Sequence, residues 1–365
     1  MKNTIKNWMN NFNKQDTGFN NLSILNTPKE SNYNYLAFLS TNKSKPELTL
    51  LDPIKQRKAR IQLTPSKDTG CLDLKSYDPS TNSIITTAKK EGNHITANKL
   101  SLEDLTLEEL YSTKIKHQAT IICTSNSIFA NLIDNPEDEF SSHLPRGGLR
   151  IYNDLEKSVE DHFLKITYPS RKQIWMNHTE LHEKSKISQE NGINSINSLG
   201  NYFVINTNEG NNYLLDPSKL SKGETIDLSK LFKLGNNTGR KSICPKNPAE
   251  TYSLVFKASY NESTGSIYAN RLEVHNLITQ DIETSFDIIG NPYSAAFVNN
   301  KIIACTHTNH LPRRETSSTL KTRILSLYDK TGWCNAQFVL PESTSPYAIS
   351  IPYYRNQKLF EMNEK

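Results

Sequence analysis

Short apolar runs recur along the chain, separated by polar segments rich in Asn, Asp, Gly and Pro. The runs are about four to eight residues long and rich in β-branched and aromatic residues, which is typical of strands. Beyond residue 18 no long segment with helical periodicity interrupts them. The pattern predicts an all-β chain built from many short, half-buried strands.

The strand-like runs fall into repeating units of four. The third run of each unit begins near residue 47, 95, 149, 212, 268 or 323. The period is therefore roughly 50–60 residues, which is at or slightly above the period of propeller blades. A propeller arranges four-stranded antiparallel sheets around an axis and exposes only short edges. We therefore predict a β-propeller.

Three segments of the first half of the chain recur in the second half, in the same order and at similar offsets. The pairs are LDPIK at 51–55 with LDPSK at 215–219, 94–100 with 267–272, and HLPR at 143–146 with HLPR at 310–313. This order indicates an internal half-repeat, with halves of about 19–190 and 191–365.

The number of blades is less well fixed than the fold. Six units are nearly complete, and residues 344–365 supply about two further strands, which need strands from the other end of the chain to finish a blade. This count favours seven blades closed by pairing of the two ends. The half-repeat fits six or eight instead. In each case residues 19–365 form one domain.

Several third strands end in Asp followed by a turn. The segments are LLDP at 50–53, LLDP at 214–217 and LYDKTG at 327–332. In this blade pattern the chain resembles the YncE-like and lactonase-like seven-bladed propellers over about residues 30–350. The resemblance implies a fold and the location of a site, but no reaction. WD40 repeats do not fit, because no Gly-His and Trp-Asp pairs recur.

The repeated HLPR tetrapeptide is the main candidate for binding. Each copy lies in a polar segment between two strand-like runs, which we predict to be strands two and three of a blade. On one face of a propeller these side chains can hold an anion or an acidic peptide, because Arg offers a planar fork of donors to carboxylate or phosphate. The candidate binding residues are His143, Arg146, His310, Arg313 and Arg314. The alternative is a duplicated loop in which Pro sets the turn.

Other polar groups are weaker candidates. The acidic run 134–139 lacks the spacing of a calcium loop. The group Cys305, His307 and His310, and the pair His178 and His182, lack the further ligands of a zinc site. We therefore predict no metal ligands and no cofactor, although an enzyme of this fold would admit a divalent metal. The basic run 55–60 leads into a predicted outer strand, where it either blocks edge pairing or contacts an acidic surface.

Composition narrows the compartment and the partners. The chain has 365 residues, 43 basic and 38 acidic, and the resulting net charge of +5 is too small to point to nucleic acid, which we do not expect as a partner. Its five cysteines are scattered, so we expect free thiols in a reducing compartment, with Cys123 and Cys305 in the core. No apolar stretch is long enough to span a membrane. We expect a cytoplasmic protein, or one delivered without a classical signal peptide.

The first 18 residues form a separate amphipathic segment. Ile5, Trp8, Met9 and Phe12 recur at helical spacing, with lysines between them. The segment either packs on the domain as a helix or extra strand, or binds a membrane surface or a partner.

No catalytic motif emerges from the sequence. We find no G-x-S-x-G, Walker or G-x-G-x-x-G motif. The leading hypothesis is a non-enzymatic propeller that serves as a protein- or peptide-binding platform. The alternative is a lactonase- or lyase-like propeller enzyme with a site in the central channel. A third hypothesis, a structural subunit of a larger assembly, predicts a large exposed apolar patch on the rim.

Overall fold

A computed structural model defines the fold of most of the chain. The residues it describes are 33–39, 46–63, 72–89, 94–114, 121–124, 126–133, 147–165, 193–207, 211–236, 252–261, 266–276, 281–288, 290–308, 323–341, 344–345 and 347–364. The amphipathic segment 1–18 lies outside these residues and stays a prediction.

The first three blades are four-stranded antiparallel sheets, named here from the axis outwards. Blade 1 combines β23 (Ile349–Pro352) with β1 (Asn34–Leu39), β2 (Glu47–Asp52) and β3 (Arg57–Gln62). Blade 2 contains β4 (Leu72–Asp78), β5 (Ser83–Lys89), β6 (His94–Ser101) and β7 (Leu107–Lys114). Blade 3 contains β8 (Ile121–Cys123), β9 (Ile128–Ile133), β10 (Gly148–Asn153) and β11 (Ser158–Phe163).

The other three blades continue in chain order. Blade 4 contains β12 (Ile193–Leu199), β13 (Tyr202–Thr207), β14 (Asn211–Leu215) and β15 (Phe232–Asn236). Blade 5 has three described strands, β16 (Tyr252–Asn261), β17 (Ser266–Asn276) and β18 (Ile282–Asp287). Blade 6 contains β19 (Asn291–Phe297), β20 (Ile302–Thr308), β21 (Arg323–Asp329) and β22 (Cys334–Leu340).

The blades form a closed ring. The innermost strands touch in succession, β19 against β23, β23 against β4, β4 against β8, and β8 against β12. The last strand closes the ring, because β23 pairs antiparallel with β1 and places Ile351 opposite Tyr35. The predicted β-propeller and the predicted pairing of the chain ends are thus confirmed. Six sheets are described, and each is a blade. Six blades is one of the numbers that the half-repeat allows, whereas the count of strand units favoured seven.

The half-repeat of the sequence corresponds to half of the ring. Segments 51–55 and 215–219 begin at the ends of β2 and β14, the third strands of blades 1 and 4. Segments 94–100 and 267–272 lie in β6 and β17, the strands next to the outer ones in blades 2 and 5. Each matched pair therefore lies three blades apart.

The Asp residues that end third strands organise the turns that follow. Buried Asp52 accepts hydrogen bonds from the backbone N–H groups of Ile54 (3.1 Å) and Lys55 (2.8 Å). Asp216 and Asp329 accept equivalent bonds from the residues two positions later. A carboxylate in this position replaces the backbone acceptors that a tight turn lacks. The Asp-plus-turn pattern in the sequence therefore marks the end of a third strand.

These turns give the ring two different faces. The turn face carries the tight connections between strands one and two, such as 79–82, and between strands three and four, such as 53–56 and 154–157. The loop face carries the connections between strands two and three, such as 134–147 and 309–322. The links between successive blades also end on the loop face.

From the sequence we expected a further strand after β23. The chain instead continues as helix α1 (Tyr353–Asn363). Its buried residues, Tyr353, Asn356 and Phe360, recur at helical spacing and share one face. The ring of Phe360 stacks on Tyr35 with centroids 4.6 Å apart. Its side chain is fully buried, which anchors α1 beside blade 1.

Helix α1 also determines what the basic run does. The run leads into β3, the outer strand of blade 1, as predicted. Lys55 and Arg57 lie over the rings of Tyr353 and Phe360, and Arg57 forms an ion pair with Glu364 at 2.9 Å. These two cations therefore fasten the helix to the edge of the blade.

Two cysteines occupy the predicted positions. Cys123 and Cys305 are fully buried in the packing between blades and carry free thiols, as does the half-buried Cys334. Across the described ranges, no helix is long and apolar enough to cross a membrane.

We expect the substitution Phe360→Ala to destabilise the protein by about 3–5 kcal/mol, because it leaves a cavity against Tyr35 and removes the anchor of α1. Urea unfolding measures this change. The matched control is Met362→Ala on the exposed face of the same helix, which should stay within about 0.5 kcal/mol of the parent. Equal effects of the two substitutions would contradict an anchoring role for Phe360.

Candidate functional site

The five binding residues predicted from the sequence lie outside the described residues. His143 and Arg146 belong to 134–146, and His310, Arg313 and Arg314 belong to 309–322. The acidic run 134–139 and the pair His178 and His182 lie outside them as well.

The strands on either side of both HLPR segments are described. β9 ends at Ile133 and β10 begins at Gly148, while β20 ends at Thr308 and β21 begins at Arg323. In each case the flanking strands are the second and third of their blade, as the sequence analysis predicted. The two segments therefore start and end on the loop face, in blades 3 and 6.

Three innermost strands are interrupted by a β-bulge. The register shifts between Leu74 and Ser76 in β4, between Ile193 and Ser195 in β12, and between Pro292 and Ser294 in β19. The extra residues are Lys75, Asn194 and Tyr293, in blades 2, 4 and 6. Each is among the first four residues of its strand, the half nearer the loop face. The three bulges therefore lie in the loop-face half of the innermost strands.

Lys75 is a half-buried lysine in a largely desolvated position. Burial lowers the pKa of its amine, and the negative charge of Asp73 opposes this shift in part. Among the residues that the structure describes, the Lys75 amine has no hydrogen-bond or ion-pair partner. Asp73 lies two positions earlier on the same strand and forms no ion pair with it. A desolvated amine with free donors is a common feature of binding and catalytic sites.

Two tyrosines lie near this charged pair. The rings of Tyr293 and Tyr347 meet edge to face with centroids 6.5 Å apart. The segment with Tyr347 is fixed to β19 because the backbone N–H of Ala348 donates to Ser294 Oγ at 3.0 Å. Burial raises the pKa of Tyr347, and the nearby Asp73 and Tyr293 raise it further.

We refer to Asp73, Lys75, Tyr293 and Tyr347 as the mouth cluster. It combines a cation, an anion and two aromatic rings with hydroxyl groups, and all four side chains are half-buried. The Oγ atom of Ser76, the residue after Lys75, is buried and has no hydrogen-bond partner among the described residues. This arrangement can bind a polar ligand at the channel opening.

Buried charges elsewhere in the described ranges are satisfied by protein groups. Asp78 accepts from Ser80 (2.6 Å), Thr81 (2.7 Å) and Ser127 (2.8 Å). Asp154 pairs with Lys99 at 2.5 Å and ties blade 2 to blade 3. These carboxylates stabilise turns and blade contacts, so we treat them as structural.

His307, the described histidine of the 305–310 group, has a hydrogen-bond partner inside its blade. His307 Nε2 lies 2.7 Å from Ser326 Oγ, and both residues are buried. Within the described part of the chain, no three His, Cys, Asp or Glu side chains are grouped so that they could hold a metal ion.

The mouth cluster could not be predicted from the sequence. The segment LDLKSYD at 72–78 has polar residues at alternating positions, which indicates a strand with one polar side. That pattern is common on outer strands exposed to solvent. Only the sheet order shows that β4 is innermost, and only its register shows that Lys75 is the extra residue of a bulge.

Comparison with known proteins supports the fold and no specific family. No family model matches the chain. No curated protein matches it by sequence either. Among solved structures it is similar to TolB from Acinetobacter baumannii, with a TM-score of 0.52 and 11% identity over 87% of this chain and 67% of that one.

Two further solved structures have lower TM-scores. The β-propeller domain of Cps50 (Swd1) from Myceliophteria thermophila gives 0.45 at 10% identity, over 87% of this chain and 89% of that one. Apo AztD from Citrobacter koseri gives 0.41 at 12% identity, over 88% and 98%. At these identities the comparisons show the fold alone.

We expect the Lys75 amine to titrate below the value of about 10.4 that is usual for lysine. The substitution Asp73→Asn should lower its pKa further, because it removes the charge that favours the protonated amine. Reductive ¹³C-methylation followed by NMR titration measures this, and the Lys75→Arg variant assigns the signal. A pKa that rises in the Asp73→Asn variant would contradict the proposed electrostatics.

Proposed function

We propose that this protein is a non-enzymatic β-propeller that binds a protein or peptide partner through its loop face. The observation that carries the proposal is the equivalent attachment of the two HLPR segments, which join the second and third strands of blades 3 and 6. The proposed binding residues are His143, Arg146, His310, Arg313 and Arg314.

The number of blades gives this arrangement its significance. In a ring of six, blades 3 and 6 lie opposite each other across the axis. A partner segment that crosses the loop face would then reach both HLPR segments. Since Arg pairs with carboxylate and phosphate through a fork of donors, the partner segment should carry anionic groups at two separated points.

The opposite face is less suited to this role. There, most connections are tight turns, apart from 216–231 in blade 4. Helix α1 covers the ring beside blades 1 and 2, where Asn356 bonds to Asn82 at 3.3 Å. The two connections that contain the HLPR segments, 134–147 and 309–322, belong to the loop face. We place binding on the loop face for this reason.

The finer family and the compartment are also part of the proposal. The Asp-plus-turn pattern favours a relation to the YncE-like and lactonase-like propellers. Free thiols at Cys123, Cys305 and Cys334 fit a reducing compartment, such as the cytoplasm or the interior of a host cell after delivery.

A lactonase- or lyase-like enzyme is the second candidate, and the mouth cluster favours it. Burial lowers the pKa of Lys75, and an amine with a lowered pKa is better suited to act as a general base. In this case the reaction would take place at the channel opening, with the HLPR segments as its outer rim.

A bivalent peptide tests the binding proposal. The probe is a fluorescein-labelled peptide with two Asp-Glu clusters joined by Gly-Ser linkers of graded length, compared with a peptide that carries one cluster. We expect an optimum linker at which the bivalent peptide binds at least about tenfold more tightly, because the second contact becomes intramolecular. Fluorescence anisotropy at low and high salt measures this.

The loop variants decide which residues are responsible. His143→Ala/Arg146→Ala or His310→Ala/Arg313→Ala should each reduce bivalent binding to the level of the single-cluster peptide, and the combined variant should abolish it. The matched control is Arg60→Ala on the outer strand of blade 1. Unchanged binding in both double variants, or no binding by the parent protein, would overturn the proposal.

A further inference from the structure

We propose that the mouth cluster is a separate binding site for a small zwitterion of the amino-acid class, with Lys75 holding the carboxylate and Asp73 the ammonium group. This inference does not depend on the HLPR segments. It rests on unused hydrogen-bonding capacity, on the arrangement of the charges and on the two aromatic rings.

The Lys75 amine and the Asp73 carboxylate have unused hydrogen-bonding capacity among the described residues. Two other half-buried cations are paired, Arg150 with Asp161 at 2.6 Å and Lys99 with Asp154 at 2.5 Å. By contrast, the amine of Lys75 and the carboxylate of Asp73 lack hydrogen-bond partners among the described residues. Desolvating a charge without a partner is costly, so both groups are suited to a ligand that replaces water.

Asp73 and Lys75 carry opposite charges at this site. Positions 73 and 75 are two residues apart on one strand, so their Cα atoms are about 6–7 Å apart. The charge of Asp73 acts on the Lys75 amine, so the two groups lie near each other without forming an ion pair. A simple anion would face Asp73, and a simple cation would face Lys75. A molecule with both charges a few ångströms apart satisfies each group and meets no repulsion.

Tyr293 and Tyr347 contribute two aromatic rings to the site. Tyr347 is close enough to Asp73 for the carboxylate to influence its ionisation, and its ring contacts that of Tyr293. The faces of such rings attract an ammonium group, and their hydroxyls can donate to a carboxylate. The rings thus form an aromatic wall beside the Asp73 end of the pair.

The β-bulge in β4 makes Lys75 the extra residue of its strand. In an unbroken strand Lys75 would continue the alternation from Leu74, whereas the extra residue turns its side chain away from the ladder. The next residue, Ser76, is fully buried, and its Oγ atom has no hydrogen-bond partner among the described residues.

Isothermal titration calorimetry at pH 8 tests this with glycine, L-glutamate and L-phenylalanine as probes. Acetate and ethylamine represent each charge alone. We expect saturable binding of at least one amino acid, and binding of acetate or ethylamine weaker by about tenfold or more. Lys75→Met and Asp73→Asn should each weaken binding by a similar factor. The control Lys233→Met, on an exposed outer strand, should bind as the parent does.

Protonation gives a second readout. A bound carboxylate stabilises the charged amine, so binding should take up protons when Lys75 is partly neutral, and the heat should depend on the ionisation enthalpy of the buffer. Asp73, Tyr293 and Tyr347 are the other titratable groups at the site. Lys75→Arg should bind without this proton uptake, because Arg keeps its charge. This variant also tests the site if Lys75→Met does not fold.

The outcomes separate this inference from the loop-face proposal. The combined HLPR variant should bind amino acids unchanged. Acetate that binds as well as glycine, with no effect of Asp73→Asn, would overturn the assignment of a zwitterion. Absence of saturable binding of all three amino acids up to about 10 mM would overturn the site itself.

Discussion

The structure depends on the pairing of β23 with β1, which joins the two ends of the ring. Four register pairs, from Asn34 opposite Pro352 to Ala37 opposite Ile349, give blade 1 its innermost strand. Without this strand β1 would present an open edge to the axis, and blades 6 and 2 would lose the neighbour that separates them. Helix α1 strengthens the joint, since Tyr353 and Phe360 pack on Tyr33 and Tyr35 at 4.5 and 4.6 Å.

Once the ring is closed with six blades, the half-repeat acquires a spatial meaning. Residues that match at an offset of half the chain lie on opposite blades, as β2 and β14 do. The two HLPR segments are attached at opposite blades for the same reason. The mouth cluster does not follow this symmetry, because Asp73 and Lys75 belong to blade 2 and Tyr293 to blade 6, which are not opposite each other. The proposed loop-face contacts are therefore paired, whereas the site at the channel opening is unique.

Much of the fold could be predicted from the sequence because its signals are local. The third strands begin close to all six expected positions, since turn residues such as Asp52 and Asp216 mark their ends. Helix α1 was missed because only three of its residues, Tyr353, Asn356 and Phe360, are buried, so its apolar periodicity is short. The mouth cluster was missed because a bulge depends on hydrogen-bond register between β4 and β5, which no pattern along one strand reveals.

The innermost strand of blade 1 follows every other strand in the chain, and this order has a consequence for synthesis on the ribosome. Strands β1 to β3 emerge before the other described strands, yet their blade stays incomplete until residues 349–352 have left the exit tunnel. Contacts across more than three hundred residues form slowly, because the intervening chain must first be ordered. During translation the open side of β1 is thus an exposed strand edge that a holding chaperone can shield. A product truncated before residue 349 would retain that edge permanently and should be prone to aggregation.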